Sequence, residues 1–227
     1  MADLYEVSLY TCKSPDDCLQ AVRRFMREQP DADEVRGAGW DIAGFTDKEL
    51  IHGPRKARLD ALSEDRPINL RSYDGHALWL NSAAFARYGI TPRTPDPAGG
   101  VIERDPHTGA LWGTLKEEAT KLIPPKTYSE QQTIRALKLY QTRMHRYGIT
   151  GIVSIQGAGL GASAEAFHRM EREGDLLMRV RFAQEIGPED SIDEQIAALR
   201  ETKARCDGTL FKVTSAKFFA DGVIEGG

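Results

Sequence analysis

The chain has few cysteines, no strong excess of either charge and no long apolar run, and each scarcity removes a class of function. Cys12, Cys18 and Cys206 form an odd, scattered set without CxxC spacing or a Cys/His cluster. A disulfide framework and a structural zinc site are therefore not expected; free thiols in a cytoplasmic protein are. A formal net charge of -4 speaks against a dedicated nucleic-acid binder, which is ordinarily basic. No stretch approaches the roughly 20 apolar residues that span a bilayer. Residues 1–5 carry neither a basic nor an apolar leader segment, so no membrane partner and no secretory signal are expected. HxH, HExxH and Gly-x-Ser-x-Gly patterns are missing too. Local motifs thus assemble neither a complete metal site nor a serine nucleophile. His52, His107, His145 and His168 read as surface or packing residues.

What is present is ordinary globular composition, 41% hydrophobic and 28% charged, in a chain long enough for one large domain or two small ones. Its character changes near residue 129. In residues 1–128, short elements are punctuated by Pro and Gly. Ser14 followed by Pro15 predicts a helix N-terminus, with Leu19, Val22, Phe25 and Met26 on one face to about residue 28. Residues 35–40 and 67–72 read as extended, a helix is expected over 78–87, and 91–113 reads as a long ordered loop or small hairpin. In residues 129–227 the pattern is regular: a helix capped by Ser129 with Gln132 at the capping-box position, then strands at 149–155, 178–184 and 210–219 separated by helices. Such alternation predicts an α/β fold with a parallel sheet. Three strands cannot close a barrel, so the open edges are also a candidate surface for homo-oligomerisation.

The residues offering chemistry are few. Strict alternation along 213–217 puts Val213, Ser215 and Lys217 on one face, with Lys217 at the end of the strand and Asp221-Gly222 just beyond. An amine at a strand mouth, followed at once by a loop, is how a (β/α) barrel presents a catalytic or metal-binding group; a lysine snorkelling to solvent is the plainer alternative. Asp74-Gly75-His76, with Trp79 behind it, sets a carboxylate and an imidazole around a turn. The plainer alternative there is Asp74 capping a helix and His76 packing on Trp79. Gly157-Ala158-Gly159-Leu160-Gly161 follows a strand and opens a helix, imitating a phosphate-cradling turn. Position 162 is alanine and Arg179 to Arg181 occupy the region where a dinucleotide site needs an acid, so the signal is weak. Gln156, just before that run, is a pocket candidate.

Five segments, Gly37-Ala38-Gly39-Trp40-Asp41, Asp74-Gly75-His76-Ala77-Leu78-Trp79-Leu80-Asn81-Ser82, Thr94-Pro95-Asp96-Pro97-Ala98-Gly99-Gly100-Val101-Ile102, Gly148-Ile149-Thr150-Gly151-Ile152 and Lys217-Phe218-Phe219-Ala220-Asp221-Gly222, together resemble the amidohydrolase 3 (YtcJ-like) family of the amidohydrolase superfamily. The resemblance implies a metal-dependent hydrolase of amide- or formamide-type C–N bonds, acting through metal-activated water in a (β/α)8 TIM barrel. It implies one or two divalent ions, zinc above all, and a small-molecule amide-type substrate. Of the family's ligand set only Lys217, often carboxylated in such enzymes, maps onto this sequence. The expected architecture is a partial (β/α)8 barrel, strands two to four, at 129–227, with an α+β insertion or cap region at 1–128. His76, Asp74, Trp79, Gln156 and Asp221 are the expected substrate-pocket residues. Because the other ligands are missing, the chain alone is expected to be inactive and to hold no metal. The rival readings are a Rossmann-like phosphate or nucleotide module using Gly157 to Gly161, and an interaction domain without chemistry.

Overall fold

The computed structural model describes residues 2–156, 163–187 and 191–218. They divide into two compact units, 1–124 and 125–227. Unit 1 runs α1 (Ala2–Tyr5), β1 (Val7–Ser8), α2 (Pro15–Glu28), β2 (Val35–Trp40), α3 (Lys48–His52), α4 (Lys56–Asp60), β3 (Ile68–Ser72), β4 (Ala77–Leu80), α5 (Ser82–Arg87), β5 (Gly100–Arg104) and β6 (Leu111–Glu117). Its sheet has the order β1-β2-β3-β4-β6-β5. β1, β2 and β3 are parallel; the remaining pairings are antiparallel.

Helix α2 starts where a hydroxyl can cap it: Ser14 Oγ accepts the Asp17 amide at 3.2 Å. It buries Cys18 and Val22 in a core with Leu9, Val35, Leu70 and Trp79. The glycines of β2 serve close approach. At Gly39, whose φ is +108°, a Cβ would lie 2.5 Å from the Tyr10 amide nitrogen, so only glycine admits the chain leaving β1.

The helix expected over 78–87 is corrected: Ala77–Leu80 is strand β4, paired with β3 through the turn at 73–76, and the helix begins only at Ser82. Leu78, Trp79 and Leu80 are all buried. A strand covered on both faces is a continuous apolar run, which periodicity does not separate from a helix. Residues 91–113 hold β5 and the start of β6, an antiparallel pair whose turn is closed by Asp105 Oδ1 accepting the His107 and Thr108 amides.

Unit 2 runs α6 (Glu130–Arg146), β7 (Gly151–Gln156), α7 (Ala164–Arg172), β8 (Arg179–Glu185), α8 (Ile192–Cys206) and β9 (Phe211–Lys217). Both halves of the Ser129/Gln132 capping box form. The sheet is parallel in the order β7-β8-β9, and among the described residues no barrel closes. One face packs on helices through Phe167, Met170, Val180, Phe182, Phe211 and Val213. On the other face Val153 and Ile155 remain 69% and 43% exposed. Parallel sheets ordinarily have both faces covered, so this one stands as an incomplete layer.

Candidate active site

Lys217 is the last residue of β9, at the C-terminal end of the parallel sheet, where α/β folds place their chemistry. Its face differs from the one strict alternation gives. Phe182 pairs with Val213, but the next residue, Ala183, pairs with Ser215, so Thr214 is an extra residue in β9. Such a β-bulge reverses the facing of everything after it. Val213 therefore lies 2% exposed in the helix-side core. Ser215 and Lys217, partnered by Ala183 and Glu185, emerge on the opposite, helix-free face. The expected grouping of Val213 with Ser215 and Lys217 is thus corrected, and the correction turns the amine toward the face that would line a barrel.

In unit 1 the C-terminal ends of parallel β2 and β3 border a cavity of about 260 Å³. Asp74 and His76 both line it, with Asp41, Lys116 and Glu117. The turn that carries them is self-braced. Asp74 Oδ1 accepts the Ser72 hydroxyl at 2.5 Å and the His76 amide at 2.9 Å, so it supports a hairpin rather than capping a helix. Partial burial works against the charge of Asp74, but those two donors outweigh it and hold its carboxyl below the usual range. His76 Nδ1 lies 2.9 Å from Glu117 Oε2; that hydrogen bond, then the carboxylate's charge, raises the imidazole's pKa. Glu117 occupies φ +50°, a conformation that costs a non-glycine residue roughly 1–3 kcal/mol. Its amide is held by His76 O at 2.8 Å and its carbonyl by the Thr120 hydroxyl at 2.8 Å. No sequence signal singles out Glu117 or Lys116; pairing of β4 with β6 brings them beside His76.

Trp79 lies behind this cavity rather than on its wall. It is fully buried, edge-on to Trp40 and Phe45, and donates its indole N–H to Arg55 O. Asp221 and Gly157 to Gly161 fall outside the described residues, and of Gln156 only the backbone, paired with Gln184, is described. His52 pairs with Glu103 at 2.9 Å beside Trp112, and His168 Nδ1 bonds Cys206 O at 3.0 Å, both structural contacts. A wider groove of about 720 Å³ along α2 gathers none of the candidate residues. Among the described residues no group of three or more His, Cys, Asp or Glu is placed to hold a metal ion. Lys217 is a single candidate ligand, and among the described residues no such group accompanies it. No helix among the described residues is long and apolar enough to cross a membrane.

Comparison with known proteins identifies the family. The Bacillus subtilis protein named "Putative amidohydrolase YtcJ" is 28% identical over 226 residues, 97% of this chain and 40% of its own length. The N-substituted formamide deformylase of Arthrobacter pascens is 29% identical over 200 residues, 80% of this chain and 36% of that enzyme. A solved structure titled as an uncharacterized metal-dependent hydrolase from Pyrococcus horikoshii matches with a TM-score of 0.61 at 19% identity, over 98% of this chain and 40% of that one. The chain thus spans about two fifths of the length of the relatives it matches. A family profile described as "Amidohydrolase family" matches residues 1–227, and the chain belongs to that family.

Proposed function

We propose that this chain works, as part of a longer protein, in the metal-dependent hydrolysis of amide- or formamide-type C–N bonds, with Lys217 as a ligand of a divalent ion, zinc in the first instance. The observation that carries the reading is the position of Lys217: the C-terminal end of a parallel strand, on the one sheet face that the helices leave open. The exposed Val153 and Ile155 on that face support it, being the residues a closed barrel would bury. In the same reading, residues 1–128 are the insertion or cap region, and Asp74, His76 and Glu117, which line one cavity, contact the substrate. The order β7-β8-β9 has no reversal at which an open α/β sheet would seat a nucleotide, which disfavours a Rossmann-like module.

The test is a chimera in which residues 1–227 replace the matched region of the Arthrobacter deformylase, assayed by formate release and metal content. Lys217→Ala should cost more than the roughly 10–100-fold typical of residues that only support a ligand, together with bound metal. The chain alone should release no formate. A Lys217→Ala chimera that keeps its activity and its metal would refute the assignment.

A further inference from the structure

We propose that Asp207 and Lys203 are positioning residues that set the bulge in β9 and so decide which face of the sheet presents Lys217. This deepens the hydrolase reading, since it matters for function only if Lys217 does. The bulge shows twice in the backbone. Val180 N–H donates to Leu210 O and Ile186 N–H donates to Lys217 O, each at 2.9 Å. In a regular strand, carbonyls facing one neighbour recur every second residue. Residues 210 and 217 differ by an odd number, so one residue between them is surplus. The register places it at Thr214, directly after Val213.

Val213 is where the strand is clasped. Its amide donates to Asp207 Oδ1 at 2.6 Å, and its carbonyl accepts Lys203 Nζ at 2.9 Å. The two clasping side chains hold each other at 2.7 Å, one turn apart at the end of α8. Both polar groups of Val213 are thereby engaged from the side away from β8, while its side chain stays in the helix-side core. With Val213 fixed in that orientation and Ala183 already paired to Ser215, Thr214 has no rung of its own. Burial works against the charge of Asp207, but Lys203 and the Val213 amide outweigh it and keep the carboxylate ionised to lower pH than usual. Without the clasp, Thr214 can take the rung opposite Ala183. Every later side chain would then turn over, and Lys217 would face the helices.

The experiment is amide hydrogen exchange by NMR on the 227-residue chain, which reads the ladder residue by residue. In the native chain the Ser215 and Lys217 amides should exchange slowly and those of Thr214 and Ala216 quickly. Asp207→Ala should exchange the two sets, each by about tenfold or more, as expected when a ladder bond is gained or lost. Asp207→Asn, which retains Oδ1 as acceptor, should keep the native pattern. Deleting Thr214 in the Asp207→Ala background removes the surplus residue. That double variant should fold and return Ser215 and Lys217 to slow exchange. Uniformly faster exchange along β9 in Asp207→Ala without a switch, a native pattern in that variant, or failure of the double variant to fold would each overturn the proposal. Formate release by the chimera tests the hydrolase reading separately, and neither failure imitates the other.

Discussion

Replacing Asn81 by Asp is nearly isosteric, yet the structure gives it a large and pH-dependent cost. Asn81 is fully buried and all four of its hydrogen-bonding positions are used. Its Oδ1 accepts the Ile68 and Ala84 amides, each at 2.9 Å, joining β3 to the start of α5. Its Nδ2 donates to Ser63 O at 3.0 Å and Arg66 O at 2.9 Å. In Asn81→Asp an oxygen faces those two carbonyls, so two hydrogen bonds are lost and a charge is buried against acceptors. About 3–5 kcal/mol is expected at neutral pH, which lowers the melting point of a unit this size by about 10–20 °C. Trp40, Trp79 and Trp112 all belong to unit 1, so tryptophan fluorescence during thermal unfolding reports on that unit. The new carboxyl has a folded pKa raised above its unfolded value of about 3.9. The linkage penalty is therefore absent below about pH 3.9 and grows as pH rises to the folded value. The gap from the native chain should narrow in acid to roughly one hydrogen bond, about 1 kcal/mol, because a protonated Asp donates to only one carbonyl. A neutral-pH cost under about 1 kcal/mol, or a gap that widens in acid, would refute the reasoning.

Two further predictions concern the other carboxylates. Glu171 accepts the Thr209, Leu210 and Phe211 amides at 2.6, 2.8 and 3.0 Å; burial opposes its charge, but the amides prevail and lower its pKa. Its contribution is present above the unfolded value of about 4.3 and is lost as pH falls through the folded one. Glu171→Gln should cost unit 2 about 2 kcal/mol at pH 7 and progressively less in acid, measured by circular dichroism; an equal gap at both pH values would exclude the carboxylate as the cause. For His76, Glu117→Gln should lower the imidazole pKa toward about 6.5, read by NMR titration. The stabilisation from that pair is present below about pH 6.5 and fades as pH rises through the raised folded value. It should be small, because the two side chains are 49% and 58% exposed. An unmoved His76 titration would show that Glu117 does not set it.

Much of the architecture was legible because its signals are local. Ser14 before Pro15, and Ser129 three residues before Gln132, announce helix starts that both form, since a cap needs only its own first turn. The helix–strand alternation after 129 likewise survives as β7, β8 and β9, because side-chain periodicity is a property of each segment. β4 reads as helix in the sequence because a strand buried on both sides has no periodicity to show. The cavity of unit 1 was legible only in part. Asp74 and His76 share one turn between β3 and β4, but Asp41 and Glu117 reach it from the flanking strands β2 and β6 through sheet pairing.

Lys217 divides the two kinds of information most sharply. That an amine ends a strand is written in residues 211–217. Which face carries it is not, because facing depends on parity, and one surplus residue inverts parity. The position of that residue is decided by the rungs of β8 on one side and by Asp207 and Lys203 on the other. Composition and local pattern thus determined the elements and the chemical groups at their ends, whereas register, set by contacts between segments, determined where those groups point.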